Sequence, residues 1–64
     1  MLLTTFLDMY DNWNGKVTIN DNDLNPIWKY VTVQKFIDDG WDLMGYSVIS
    51  FGFYDGELTI RVSK

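Results

Sequence analysis

Hydrophobic positions alternate most regularly at the end of the chain. Ile49, Phe51 and Phe53 take every second place, as do Leu58, Ile60 and Val62, and Asp55-Gly56 lies between the two runs. Period-two patterning marks half-buried strands, and a two-residue Asp-Gly loop is the strongest short-range signal for a hairpin. A two-residue loop sets Phe53 opposite Leu58, Phe51 opposite Ile60 and Ile49 opposite Val62, all on one face. The other face then pairs Tyr54 with Glu57, Gly52 with Thr59 and Ser50 with Arg61. A slip of one residue would set every apolar residue against a polar one, so the register is strongly specified.

The beginning of the chain has a different period. Leu3, Phe6, Leu7, Tyr10 and Trp13 recur at spacings of three and four, which predicts a helix over residues 4–13. Thr4 or Thr5 would cap its start, and Asn14-Gly15 would stop it. Lys16-Val17-Thr18-Ile19-Asn20 alternates again and reads as a short strand. Asp21 to Pro26 is polar and turn-rich, with Pro26 expected to end regular structure. Ile27 to Val31 is β-prone on both faces: Ile27, Lys29 and Val31 on one, Trp28 and Tyr30 on the other. Thr32 is a candidate cap for a second helix with Phe36 and Ile37 inward, expected to break or distort near Gly40, where a mid-helix glycine costs about 1 kcal/mol.

These elements predict one α+β domain over residues 1–64. The expected architecture is a small two-layer αββαββ order, with an antiparallel sheet of about four strands and the helices on one face. Its expected core is Leu3, Phe6, Leu7, Val17, Ile19, Phe36, Ile37, Ile49, Phe51, Phe53, Leu58, Ile60 and Val62.

Size matters to what such a domain can do. A 64-residue chain hides only about 60% of its surface on folding. Burial then supplies about 100 kcal/mol at ~25 cal/mol/Å², and ordering the chain at ~1.5 kcal/mol per residue costs about the same. The chain has no Cys, so neither disulfides nor Cys-based metal sites add to the balance. Self-association or a partner would relieve the deficit.

Composition narrows the function. With no His and no Cys, and no nucleophile elbow or Ser–Lys motif around Ser47, Ser50 or Ser63, the chain is expected not to be an enzyme. Asp38 and Asp42 are four apart and could pair their carboxylates, but with Asp39 they read more simply as the solvated acidic end of a short helix. Asn12, Asn14, Gly15, Val17 and Asp21 match part of an EF-hand loop. Tyr10 stands where its first Asp belongs, and Asp21 where its closing Glu belongs. No metal site and no cofactor are expected, and no phosphate-binding glycine motif occurs.

The net charge is −4, from nine acids and five bases, spread over both halves of the chain. Direct binding of nucleic acid is not expected from so few cations. An acidic decoy of a nucleic-acid-binding protein is an alternative, with Asp38, Asp39 and Asp42 as its candidate cluster, although nine acids are sparse beside duplex phosphates. The N-terminus lacks the basic region and long apolar run of a signal peptide, and no stretch is apolar enough to span a membrane, so a cytoplasmic protein is expected.

Aromatic residues make up 17% of the chain, more rings than so small a core readily encloses. Trp and Tyr dominate interface hot spots, so Trp28, Tyr30 and Trp41 are the candidate protein-binding residues. The expected function is a non-enzymatic protein-binding or accessory module. The alternative is a homo-oligomeric structural protein using a sheet edge or an aromatic face.

The leading helix, the short charged strand and the closing Val48-Ile49-Ser50-Phe51-Gly52-Phe53-Tyr54-Asp55-Gly56-Glu57-Leu58-Thr59-Ile60-Arg61-Val62 hairpin resemble small uncharacterised proteins of Gram-positive phages and mobile elements. The resemblance implies an accessory role through protein contacts and carries no catalytic residue.

Overall fold

The computed structural model describes residues 1–64. Along the chain come α1 (Leu3–Asp8), β1 (Lys16–Asn20), β2 (Pro26–Thr32), α2 (Val33–Asp39), a single 3₁₀ turn (Trp41–Leu43), β3 (Ser47–Tyr54) and β4 (Glu57–Ser63). The class is α+β, with an open four-stranded sheet in the order β2-β1-β4-β3. The sheet is mixed rather than antiparallel. β1 pairs antiparallel with β2 and β4 with β3, but the central strands β1 and β4 run parallel. The chain crosses from β2 at one edge to β3 at the other through α2, a parallel connection that needs a helix-length crossover. Parallel register sets Val17 beside Leu58 and Ile19 beside Ile60, so the best aliphatic alternation of each hairpin lies at the centre.

The core is Leu3, Leu7, Val17, Ile19, Val33, Phe36, Leu43, Leu58, Ile60 and Val62. Val33 and Leu43 join it unforeseen, because the first helical residue after Thr32 and the 3₁₀ turn both face inward. Phe6 and Ile37 are only half-buried, and Ile49, Phe51 and Phe53 are exposed. The β3–β4 register holds from Tyr54–Glu57 to Ser50–Arg61 and then shifts, so that Val48 rather than Ile49 faces Val62. Ile49 is the extra residue of a bulge, and a bulge reverses the alternation beyond it.

Backbone groups do much of the capping. α1 is six residues, shorter than the 4–13 that its periodicity predicts. No side chain caps its start. Instead the Leu3 and Thr4 amides donate to the carbonyls of Tyr46 and Met44, at 2.8 and 3.2 Å, which satisfies donors that a helix leaves free. At its end the indole Nε1–H of Trp13 donates to the Leu7 carbonyl at 3.3 Å. Tyr10 and Trp13 thus pack on the core from outside the helix. α2 begins with the expected Thr32 cap, whose Oγ1 accepts from the Lys35 amide at 3.1 Å. It stops at Gly40, where a Cβ would come within 2.5 Å of a Phe36 ring carbon. The Val33 and Gln34 amides donate to the Gly15 and Trp13 carbonyls at 3.0 Å each, tying α2 to the loop before β1.

Candidate functional site

The two edges of the sheet are built differently. β2 begins at Pro26, carries Lys29, and loses regular pairing with β1 between Val17 and Asn20. Tyr30 has φ +59°, the left-handed region that bulky residues rarely occupy. Its amide donates to Thr18 Oγ1 at 3.1 Å, and Lys16 Nζ lies 5.5 Å from its ring centroid. Proline, lysine and a bulge are the devices by which natural sheets block an edge.

The irregularity also separates two candidate binding residues. The extra residue in β2 sets Trp28 opposite Ile19 and Val31 opposite Val17, so both pack on the core. Trp28 is half-buried with its ring edge-on to Phe36, centroids 5.5 Å apart. Tyr30 is 58% exposed and Trp41 is 71% exposed. Trp28 therefore serves packing, Tyr30 stands in the bulge, and Trp41 lies in the 3₁₀ turn. The regular alternation that would place Trp28 and Tyr30 on one face is broken by that extra residue.

β3, the other edge, is bulged at Ile49 but carries neither of the other two guards. Ser47 to Tyr54 contains no Lys, no Pro and no charged residue. Phe51 and Phe53 point to the side where Ile60 and Leu58 are buried, yet each is 58% exposed, because α1 is too short to roof the edge strand. Phe51 leans on Phe6 with ring centroids 4.8 Å apart, and Phe53 on Tyr10 at 6.5 Å. Beside them a groove of about 500 Å³ is lined by Met1, Phe6, Met9, Val48, Ile49 and Phe51, with Ser50 as its one polar residue. Alternation signalled the inward direction of the two phenylalanines, but nothing local in the sequence says that this part of the inward face is left open.

The opposite face of β3 is low and polar. A concavity of about 350 Å³ there is bordered by Asn20, Ser50, Gly52, Tyr54, Thr59 and Arg61 among others. Asn20 Oδ1 and Arg61 Nε are buried there without a hydrogen-bond partner. The Tyr54 ring lies over Gly52, where a Cβ would meet it at 3.3 Å.

Two of the three candidate acidic residues, Asp38 and Asp39, are engaged within α2. Asp38 Oδ1 accepts from Gln34 Nε2 at 3.0 Å, and Asp39 pairs with Lys35. The hydrogen bond to Asp39, and then its charge, hold the Lys35 ammonium above the ordinary lysine value, with Asp38 adding to the effect. Asp42 is the middle residue of the 3₁₀ turn. Asp21, the closing position of the partial EF-hand pattern, accepts from the amides of Asp23 and Asn25 at 2.9 Å each, an Asx turn that shapes the β1–β2 loop. No group of three or more His, Cys, Asp or Glu is placed to hold a metal ion. No helix is long and apolar enough to cross a membrane.

Comparison with family models, curated proteins and solved structures finds no match.

Proposed function

We propose that the chain is a non-enzymatic protein-binding module that docks other polypeptide along the free edge and inward face of β3. The observation that carries this is the 58% exposure of both Phe51 and Phe53 on a strand without charge, proline or lysine. Contiguous exposed apolar surface of this kind marks interaction sites, and an unblocked strand edge offers backbone hydrogen bonds to an incoming strand. In this reading both helices cover one face of the sheet, and the stretch of β3 that they leave open is the docking surface. Rigid rings give contact area at little entropic cost, with Phe51 and Phe53 as anchors and Ser50 and Tyr54 at the rim. An accessory role of the kind implied by the resemblance to phage and mobile-element proteins would act through the same contact. The acidic-decoy alternative is less favoured, since Asp38 and Asp39 already hold partners within α2.

The test is photo-crosslinking in extracts of the source cells, with a photoreactive phenylalanine placed in turn at Phe53, Tyr30 and Trp41. Protein adducts through position 53 are expected, with little through the other two. Adducts through Tyr30 or Trp41 and none through Phe53 would overturn the assignment of the surface.

A further inference from the structure

We infer that the occupant of this surface is a second copy of the chain, the two β3 strands pairing antiparallel about a two-fold axis at Gly52. This rests on the reading of β3 as the docking strand and adds the identity of what docks.

The first argument is length. The start of the β3 edge is already taken: the Val48 amide donates to the Met1 carbonyl at 2.7 Å, and Leu2 bridges Ser47. The open run is 49–54, after which the chain turns at Asp55-Gly56. An axis at Gly52 sets Ser50 against Tyr54 of the second copy, Phe51 against Phe53, and Gly52 against itself. Beyond Tyr54 each copy turns away before it reaches the residues held by Met1. Moving the axis to Phe51 would drive Tyr54 against Val48, whose outward amide is occupied. Moving it to Phe53 would shorten the pairing to little more than the strand end.

The second argument is the direction of the side chains. Residues directly opposed in an antiparallel pair point to the same side. An axis at Gly52 therefore joins Phe51 and Phe53 of both copies into one row of four rings, flanked by Phe6 and Tyr10 of each. Such mutual pairing is the signature of an isologous interface.

Charge and area are consistent with it. A two-fold axis brings like charges close, and like charges directly opposed destabilise a sheet. In a chain of net charge −4, β3 has no charge to oppose, whereas β2 has Lys29. The exposed parts of Phe51, Phe53, Met1, Met9 and Ile49 set an upper bound of roughly 600 Å² per copy, at about 150–250 Å² for an aromatic side chain and no more for the others. Twice that bound does not exceed about 1,200 Å², the lower limit of specific interfaces, which fits a dimer that dissociates on dilution.

The absence of Cys makes the register testable. Directly opposed residues have Cα atoms about 4.5–5.5 Å apart, within the range of about 4.4–6.8 Å that a disulfide spans. Two copies of Ser50 would lie about 13 Å apart at ~3.3 Å per residue, beyond that range. Under mild oxidation Gly52→Cys is expected to form a covalent dimer while Ser50→Cys stays monomeric. By sedimentation equilibrium from micromolar to millimolar concentration, the unmodified chain is expected to rise from 7.5 kDa to twice that mass. Phe53→Lys is expected to hold it at the monomer mass, and Trp41→Lys to leave the rise unchanged. Equal crosslinking of the two cysteines, or a monomer mass at every concentration, would overturn the second-copy proposal. Adducts between position 53 and a different protein in the photo-crosslinking experiment would then still support β3 as the docking strand. The loss of those adducts as well would remove both readings.

Discussion

At the scale of single residues, close approach decides more than composition does. Gly40 is buried against the ring of Phe36, where an added Cβ would come within 2.5 Å of one ring carbon and 2.9 Å of the Phe36 carbonyl oxygen. Neither neighbour can give way, since one is the largest core side chain and the other is helix backbone. Gly40→Ala is therefore expected to destabilise the fold by about 1–3 kcal/mol, the usual cost of overpacking. A lower urea midpoint at unchanged slope would show it. Lys35 behaves differently because its side chain is exposed. Its pKa is raised in the fold by Asp39. Its contribution is therefore complete below the ordinary lysine value and is lost as pH rises through the folded one. In alkaline unfolding titrations, a small extra loss of stability is expected in the wild type that Lys35→Met does not show. The indole of Trp13 is a third case. Its spacing after Tyr10 reads as helix, but it acts by giving its N–H to Leu7 as the helix ends.

At the scale of elements, what the sequence revealed follows the range of the interactions. The β3–β4 hairpin was legible because its turn and alternation are local and agree. Asp55 and Gly56 have φ of +55° and +79°, as a two-residue hairpin turn requires. Gly56→Ala should cost about 1–2 kcal/mol, the penalty for a Cβ in the left-handed region, measurable as a fall in the thermal midpoint. The Thr32 cap and the stop at Gly40 were legible for the same reason. The length of α1 was not, because Tyr10 and Trp13 keep the helical spacing although the helix ends at Asp8 and they pack on the core from beyond it. The bulges were not legible either. An extra residue at Tyr30 turns Trp28 and Val31 to the same side, and another at Ile49 gives its inward place to Val48. Trp28 and Tyr30 share a face only under a regular alternation, which those non-local pairings interrupt.

At the scale of the whole molecule, the deciding feature is the asymmetry between its edges. How the two hairpins join depends on pairing between β1 and β4, strands far apart in sequence. Nothing local specifies that they run parallel, or that β3 falls at the edge. Once it does, a six-residue helix cannot cover it, and phenylalanines patterned for a core stand in the open. The surface so exposed is apolar, and its association should be insensitive to salt, unlike contact through the carboxylates of α2. Raising ionic strength is expected to leave the concentration-dependent mass unchanged, where an electrostatic contact would weaken. The most direct test of β3 as the docking edge is a dilution series of amide NMR spectra on the ¹⁵N-labelled chain. Shifts with concentration are expected at residues 49–54 and at Met1, Phe6, Met9 and Tyr10, with the β2 edge from Trp28 to Tyr30 unmoved. Shifts centred on Trp28 to Tyr30, with β3 silent, would contradict the account.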